Sequence, residues 1–123
     1  MRILLIESDS ELGDALAAGL RLDGHVVEHV PALTDGLRAL VAARWDACVA
    51  DVTRRSRRWP GPLERAATRA LAAHAPTVLT TVHGWADDVH PRDFGASAIM
   101  RKPFSVAALR RTVQRVTAAP SRA

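Results

Sequence analysis

Residues 2–12 read RILLIESDSEL, and this stretch indicates the fold class of the chain. Ile3–Ile6 is a short continuous apolar run, which is typical of a parallel strand buried on both faces. Three carboxylates and two hydroxyls follow at residues 7–11, and apolar residues at helical spacing begin at Leu12. A buried strand that passes at once into an amphipathic helix predicts an alternating strand and helix architecture.

The rest of the chain repeats this alternation. Further strands are predicted by valines near residues 26–30 and by apolar runs at residues 47–50, 77–82 and 98–100, with helical spacing of apolar residues between them and at residues 106–116. The pattern predicts an α/β fold, a doubly wound five-stranded parallel sheet with helices on both faces. Because Pro91 would break a helix interior, we expect the fourth of about five helices to be short or irregular.

The composition is that of one ordinary globular domain. The chain has 123 residues and a formal net charge of +4. Its single cysteine, Cys48, excludes an internal disulfide and a cysteine-rich zinc site, and its apolar surroundings predict a core position. No stretch approaches the roughly 20 apolar residues of a membrane span, so we expect a cytoplasmic protein with no membrane partner.

Polar side chains follow the predicted strands at the points where they end. In parallel sheets these carboxyl ends meet at one edge, where doubly wound folds bind their ligands. The edge should therefore bring together Glu7, Ser8, Asp9, Asp51, Thr81 and Lys102. A carboxylate directly after four apolar residues needs a partner, and Lys102 is the expected partner of Asp51.

These features resemble the receiver domain of bacterial two-component response regulators. The resemblance spans about residues 1–117, with residues 118–123 as a tail or the start of a linker to an absent output domain. It rests on RILLIESDSELGDALAAGLRLDGHVVE, WDACVADV, PTVLTTV and GASAIMRKPF, in that order. The first piece is most similar to the subclass that carries a C-terminal winged-helix DNA-binding domain.

The resemblance implies a signalling module of flavodoxin-like receiver fold, not an enzyme. A sensor histidine kinase would supply a phosphoryl group to one aspartate, here Asp51. The resemblance implies phosphate sensing by Thr81 and Lys102, and a pocket for Mg²⁺ formed by Glu7, Ser8, Asp9 and the backbone carbonyl of Thr53.

The sequence departs from the family pattern at Ser8, where a second acid usually binds Mg²⁺ directly. A neutral hydroxyl removes both a charge and a strong ligand, so we expect weak or absent Mg²⁺ binding. Asp9 could reach in from the next position. Ser8 and Glu11 also match a capping box, which predicts Ser8 as the N-cap of the first helix.

Three further departures concern the loop after Asp51, the fifth strand and the family's dimer surface. Arg54, Arg55, Arg57 and Arg58 follow the aspartate and could pair with it, attract an acidic partner or simply be solvated. Ile99 stands at the switch position, where the family usually has an aromatic residue. The family's usual dimer contacts are also altered, which leaves a homodimer open.

Two functions from different classes remain. The first is an atypical receiver, phosphorylatable in principle on Asp51, that regulates transcription through a missing DNA-binding domain. The alternative is a phosphorylation-independent pseudo-receiver that acts as a dimerisation or protein-interaction module. A flavin- or nucleotide-binding protein of similar fold is disfavoured, because the acidic segment ESDSE would repel phosphate.

Overall fold

Five parallel strands and four α-helices make up the part of the chain described by this computed structural model, residues 1–52 and 62–118, with the backbone alone at residues 62–64 and 85. The strands are β1 (Arg2–Ile6), β2 (Val26–Val30), β3 (Ala47–Asp51), β4 (Thr77–Thr81) and β5 (Ala98–Arg101). The helices are α1 (Ser10–Leu22), α2 (Leu33–Ala42), α3 (Pro62–His74) and α4 (Val106–Thr117). The spatial strand order is β2-β1-β3-β4-β5. Strand β2 therefore lies on one side of β1, and the later strands are added on the other side.

The sheet separates two hydrophobic cores. Alternate residues of a strand point to opposite faces, so Ile3 and Leu5 lie in the core beneath α1 and α4. Leu4 and Ile6 lie in the core beneath α2 and α3. All four side chains are buried, which explains the uninterrupted apolar run of β1. The predicted doubly wound sheet with helices on both faces is confirmed.

Helix α1 begins differently from the prediction. Its N-cap is Asp9, whose carboxylate Oδ1 accepts the backbone N–H of Leu12 at 3.1 Å. The predicted N-cap, Ser8, is therefore wrong by one residue. Both residue types cap helices about equally well, so the capping preference alone does not decide between neighbours. At the other end, Gly24 takes a φ of +85°, a left-handed conformation that ends the helix.

The segment between β4 and β5 contains two short 3₁₀ turns, Gly84–Asp87 and Pro91–Phe94. Pro91 occupies the first position of the second turn, where its missing N–H breaks no helical hydrogen bond. Phe94 closes that turn and packs into the core beneath α2 and α3. The expected short or irregular fourth helix is confirmed, and the proline accounts for it.

Cys48 lies in β3 and is fully buried, as predicted. Burial raises the pKa of its thiol to about 11, because the thiolate would lose its hydration. Among the described helices, none has the length and apolarity needed to cross a membrane. The four loop arginines, Thr53 and residues 119–123 of the expected tail lie outside the described residues.

Helices α1 and α4 are joined at one end by an ion pair. The Arg110 guanidinium donates from Nε to Asp23 Oδ2 at 3.0 Å and from a terminal nitrogen to Oδ1. This two-point contact with Arg110 holds the pKa of the Asp23 carboxyl below its ordinary value. The pair connects the C-cap of α1 to the first half of α4.

We expect the Asp23–Arg110 pair to stabilise the fold in a pH-dependent way. Since the folded-state pKa of Asp23 is lowered, its contribution is complete above the ordinary value of 3.8 and is lost as pH falls through the lower folded value. The free energy of unfolding should therefore differ between wild type and Asp23→Asn near neutral pH and converge in acid, as measured by urea denaturation. Glu28→Gln, at an exposed position of β2, is the control. A difference that stays constant into strong acid would contradict this assignment.

Candidate functional site

Two acidic side chains lie at the ends of adjacent strands. Ile6 and Ala50 are paired in register across β1 and β3, which places Glu7 and Asp51 next to each other. Both side chains are largely withdrawn from water, with exposed fractions of 2% for Glu7 and 8% for Asp51. Their position is the change in strand order, where the doubly wound fold forms its crevice.

The ammonium of Lys102 lies between these carboxylates. Its Nζ is 2.7 Å from Oε1 of Glu7 and 3.4 Å from Oδ1 of Asp51. The side chain is only 14% exposed. Its backbone N–H donates to the carbonyl of Thr81 at 2.7 Å, which ties the end of β5 to the end of β4. The expected pairing of Asp51 with Lys102 is present, and Glu7 is the nearer partner.

This arrangement is electrostatically constrained. Two carboxylates in a water-poor crevice repel each other, and each loses hydration on burial. One ammonium between them offsets both effects, and the short contact to Glu7 is a charge-assisted hydrogen bond. With all three groups ionised, the cluster of Glu7, Asp51 and Lys102 has a formal charge of −1.

The Asp9 side chain is engaged at the start of α1. Its carboxylate caps α1, and its backbone N–H donates to Oε2 of Glu7 at 3.1 Å. The second carboxylate oxygen of Glu7 is thus engaged by the same turn. Ser8 itself is exposed. Helix capping and metal binding would compete for the Asp9 side chain, and the capping contact is the one observed.

Thr81, predicted with Lys102 to sense phosphate, lies on the same edge, whereas Ile99, at the predicted switch position, lies within β5. Thr81 is fully buried at the end of β4, and its hydroxyl oxygen accepts the N–H of His83 at 3.2 Å. Ile99 lies in β5 and packs against the core beneath α2 and α3. Thr53 and the arginines at 54, 55, 57 and 58 cannot be placed relative to this edge, because they lie outside the described residues.

The described residues fit a strong Mg²⁺ site poorly. Across residues 1–52 and 62–118, no three histidine, cysteine or carboxylate side chains are grouped so that they could hold a metal ion. Mg²⁺ requires octahedral oxygen ligands and usually one or two carboxylates with water. Here both candidate carboxylates contact an ammonium instead, and an incoming cation would have to displace it.

An apolar groove borders the site. It is lined by Leu12, Val82, Lys102, Pro103 and Phe104, and encloses about 350 Å³. The groove lies between the start of α1 and the segment that follows β5. Lys102 lines the groove and also contacts Glu7 and Asp51. A movement of its side chain would therefore change both the ion cluster and the shape of the groove.

Sequence reasoning missed two contacts that build the site. It placed Glu7 in a metal pocket and not against Lys102, and it assigned no role to His29. In the structure, Nε2 of His29 lies 2.8 Å from the backbone oxygen of Glu7. Neither contact follows from spacing alone, because residues 7 and 102 are 95 positions apart and His29 is on a different strand.

Known proteins of similar sequence and structure identify the family. The response regulator protein PmrA of Pseudomonas aeruginosa is 38% identical over 121 residues, which are 95% of this chain and 52% of PmrA. The crystal structure of a response regulator receiver protein from Burkholderia phymatum superimposes with a TM-score of 0.71 at 27% identity, covering 98% of this chain and 97% of that one. The chain is a response-regulator receiver domain.

Other comparisons concern the family models, the length of the relatives and the fold. No family model matches the receiver domain. It spans about half the length of the curated relatives it matches. The structure of TrrA from Thermotoga maritima, described as a complex with Mg²⁺-BeF, has a TM-score of 0.73 at 17% identity and covers 94% of this chain and 97% of that one, so it supports the fold alone.

We expect Lys102→Met to destabilise the receiver domain by about 3 kcal/mol, because removing one partner leaves buried carboxylates without their ammonium. Urea denaturation measures this loss. Combining the change with Glu7→Gln should recover part of it, since the most deeply buried charge is then removed.

The neighbouring residue offers a matched control. Arg101 pairs with Asp87 at 2.6 Å, but both side chains are about half exposed. Arg101→Met should therefore lower the free energy of unfolding by less than about 1 kcal/mol. Equal losses for the two variants would contradict a special role for the buried cluster.

Proposed function

We propose that this receiver domain accepts a phosphoryl group on Asp51 from a sensor histidine kinase, with little help from Mg²⁺. The observation that carries the proposal is the position of Asp51 at the end of β3, with Lys102 Nζ at 3.4 Å. Phosphoryl transfer to an aspartate uses a carboxylate nucleophile and positive charge that stabilises the phosphoryl oxygens, and Asp51 and Lys102 supply one of each.

The chemistry needs few groups. An Asp51 oxygen would attack phosphorus while the bond from phosphorus to the donor nitrogen breaks, and the electron pair leaves with that nitrogen. Lys102 would then neutralise part of the charge on the phosphoryl oxygens. Thr81 is a candidate reader of the new charge, since exchanging its His83 contact for a phosphoryl oxygen would move the segment after β4.

Low Mg²⁺ affinity follows from the charges at the crevice. Ser8 supplies no negative charge, the Asp9 carboxylate is engaged at the helix cap, and Lys102 lies between the remaining acids. A divalent cation would have to displace the ammonium from a 2.7 Å contact with Glu7. The loop arginines, if they approach Asp51, would oppose metal binding further by like-charge repulsion.

The wider role is proposed from the relatives. We assign residues 1–117 to the receiver and residues 118–123 to a tail or linker. The complete protein would be a cytoplasmic transcription regulator that contacts DNA only through an output domain. Its upstream partner would be a sensor histidine kinase, and a homodimer would be one route by which phosphorylation reaches the DNA.

A second candidate is a pseudo-receiver that acts without phosphorylation, by dimerising or by binding a protein partner. The observation that favours it is the closed ion cluster. Lys102 already neutralises one of the two buried charges, so the domain needs neither a metal ion nor a phosphoryl group to hold this edge together. In that case Asp51 would be a structural partner of the lysine.

Phosphorylation distinguishes the two functions. Incubation with a small phosphoramidate donor and Mg²⁺ should add about 80 Da, one phosphoryl group, as measured by intact-protein mass spectrometry. Asp51→Asn should abolish the product, because it removes the nucleophile. Asp46→Asn is the matched control, one residue before β3 and at its opposite end, and should leave the yield unchanged. Absence of any product from the folded wild type would favour the pseudo-receiver.

Restoring the missing acid should restore metal binding. We expect Ser8→Asp to lower the Kd for Mg²⁺ about tenfold or more, equivalent to roughly 1.4 kcal/mol, measured by titration calorimetry. Ser10→Asp adds the same charge two residues further on, at the exposed first position of α1, and should have a much smaller effect. If both variants bind Mg²⁺ equally well, general charge and not a ligand position is responsible.

A further inference from the structure

Residues of β2 contact both the N–H and the carbonyl of Glu7. Its N–H donates to the carbonyl of Val30 at 3.0 Å, which continues the parallel ladder one residue past β1. Its carbonyl oxygen lies 2.8 Å from Nε2 of His29. A side chain therefore takes the place of a ladder partner at the last peptide before the turn into α1.

The imidazole of His29 lies directly on α1. A Cβ added at Gly13 would be 2.1 Å from Cε1 and 2.3 Å from Nε2 of the ring, so only glycine permits this approach. The side chain is 18% exposed. The ring is thus confined between the helix backbone and the end of β1, which limits its rotation and that of the peptide it contacts.

The proton on the ring can be assigned from its partner. A carbonyl oxygen only accepts hydrogen bonds, so Nε2 must carry a hydrogen. The other ring nitrogen, Nδ1, lies 3.9 Å from the exposed carboxylate of Asp14. An exposed pair at that distance adds little, so the hydrogen bond to Glu7 is the contact that orients the ring.

We propose that His29 is a positioning residue for Glu7. By fixing the orientation of the peptide between Glu7 and Ser8, it would keep the Glu7 carboxylate against Lys102. Groups that hydrogen-bond to a metal-ligating residue and fix its orientation commonly control how tightly the site binds a cation. Any effect of His29 on metal binding or phosphoryl transfer rests on the proposed function. Its effect on the contact between Glu7 and Lys102 does not depend on that function.

A double-mutant cycle tests the inference without any phosphoryl donor or metal. Glu7→Gln, Lys102→Met and the double variant give the coupling between residues 7 and 102, measured by urea unfolding in the full chain. The same cycle is repeated with His29→Phe, which keeps an aromatic ring beside Gly13 but cannot donate. We expect the coupling to fall to about half or less, because Glu7 is no longer held in place.

Two controls separate positioning from packing. If His29 only fills space, His29→Phe lowers the stability of every variant alike and leaves the coupling unchanged, which would overturn the proposal. His29→Gln keeps a terminal N–H that can donate to Glu7 and should retain most of the coupling. Loss with glutamine as complete as with phenylalanine would also overturn it. The coupling between Asp87 and Arg101 should not respond to either change.

A measurement on the wild type covers the case in which these variants fail to fold. Nitrogen-15 spectra of the imidazole should show a protonated Nε2 in the folded domain. A neutral ring protonated only at Nδ1 would contradict the hydrogen bond and the proposal with it. The outcome is distinct from that of the phosphorylation experiment, since a domain that takes no phosphoryl group can still show the coupling and the Nε2 hydrogen.

Discussion

The ammonium of Lys102 between the carboxylates of Glu7 and Asp51 is the constraint on which this edge of the receiver domain depends. The three side chains come from the ends of β1, β3 and β5, so they meet only when the sheet is assembled. Once buried, none of the three can lose its partners without leaving a charge in a poorly hydrated crevice. The contact therefore joins the ends of β1, β3 and β5 at this edge.

The same ammonium limits what the site can do. Lys102 offsets one of the two buried carboxylate charges, and in the proposed function the same ammonium would also contact a phosphoryl oxygen. These two roles are compatible only if Lys102 can release Glu7 or Asp51 when a new anion arrives. The 3.4 Å distance to Asp51, longer than the 2.7 Å distance to Glu7, suits such an exchange on the Asp51 side.

The turn from β1 into α1 shows how helix formation and site chemistry share one set of side chains. The first N–H groups of a helix need acceptors, and the Asp9 carboxylate supplies one. That contact engages the acid that follows Ser8 directly in the sequence. At the same turn, the Asp9 N–H and the His29 ring both hold Glu7, so the side chain that contacts Lys102 is fixed through its backbone and through its second oxygen.

The sequence by itself determined the alternation of strands and helices, the two-sided burial of β1 and β3, and the placement of Asp51, Thr81 and Lys102 on one edge. These follow from periodicity and strand ends, which are local properties. Only the tertiary structure decided that Lys102 lies nearer to Glu7 than to Asp51, that Asp9 caps α1 in place of Ser8, and that His29 contacts Glu7. Each of these depends on strand register and on differences of less than an ångström or of one residue, and residue spacing does not specify either.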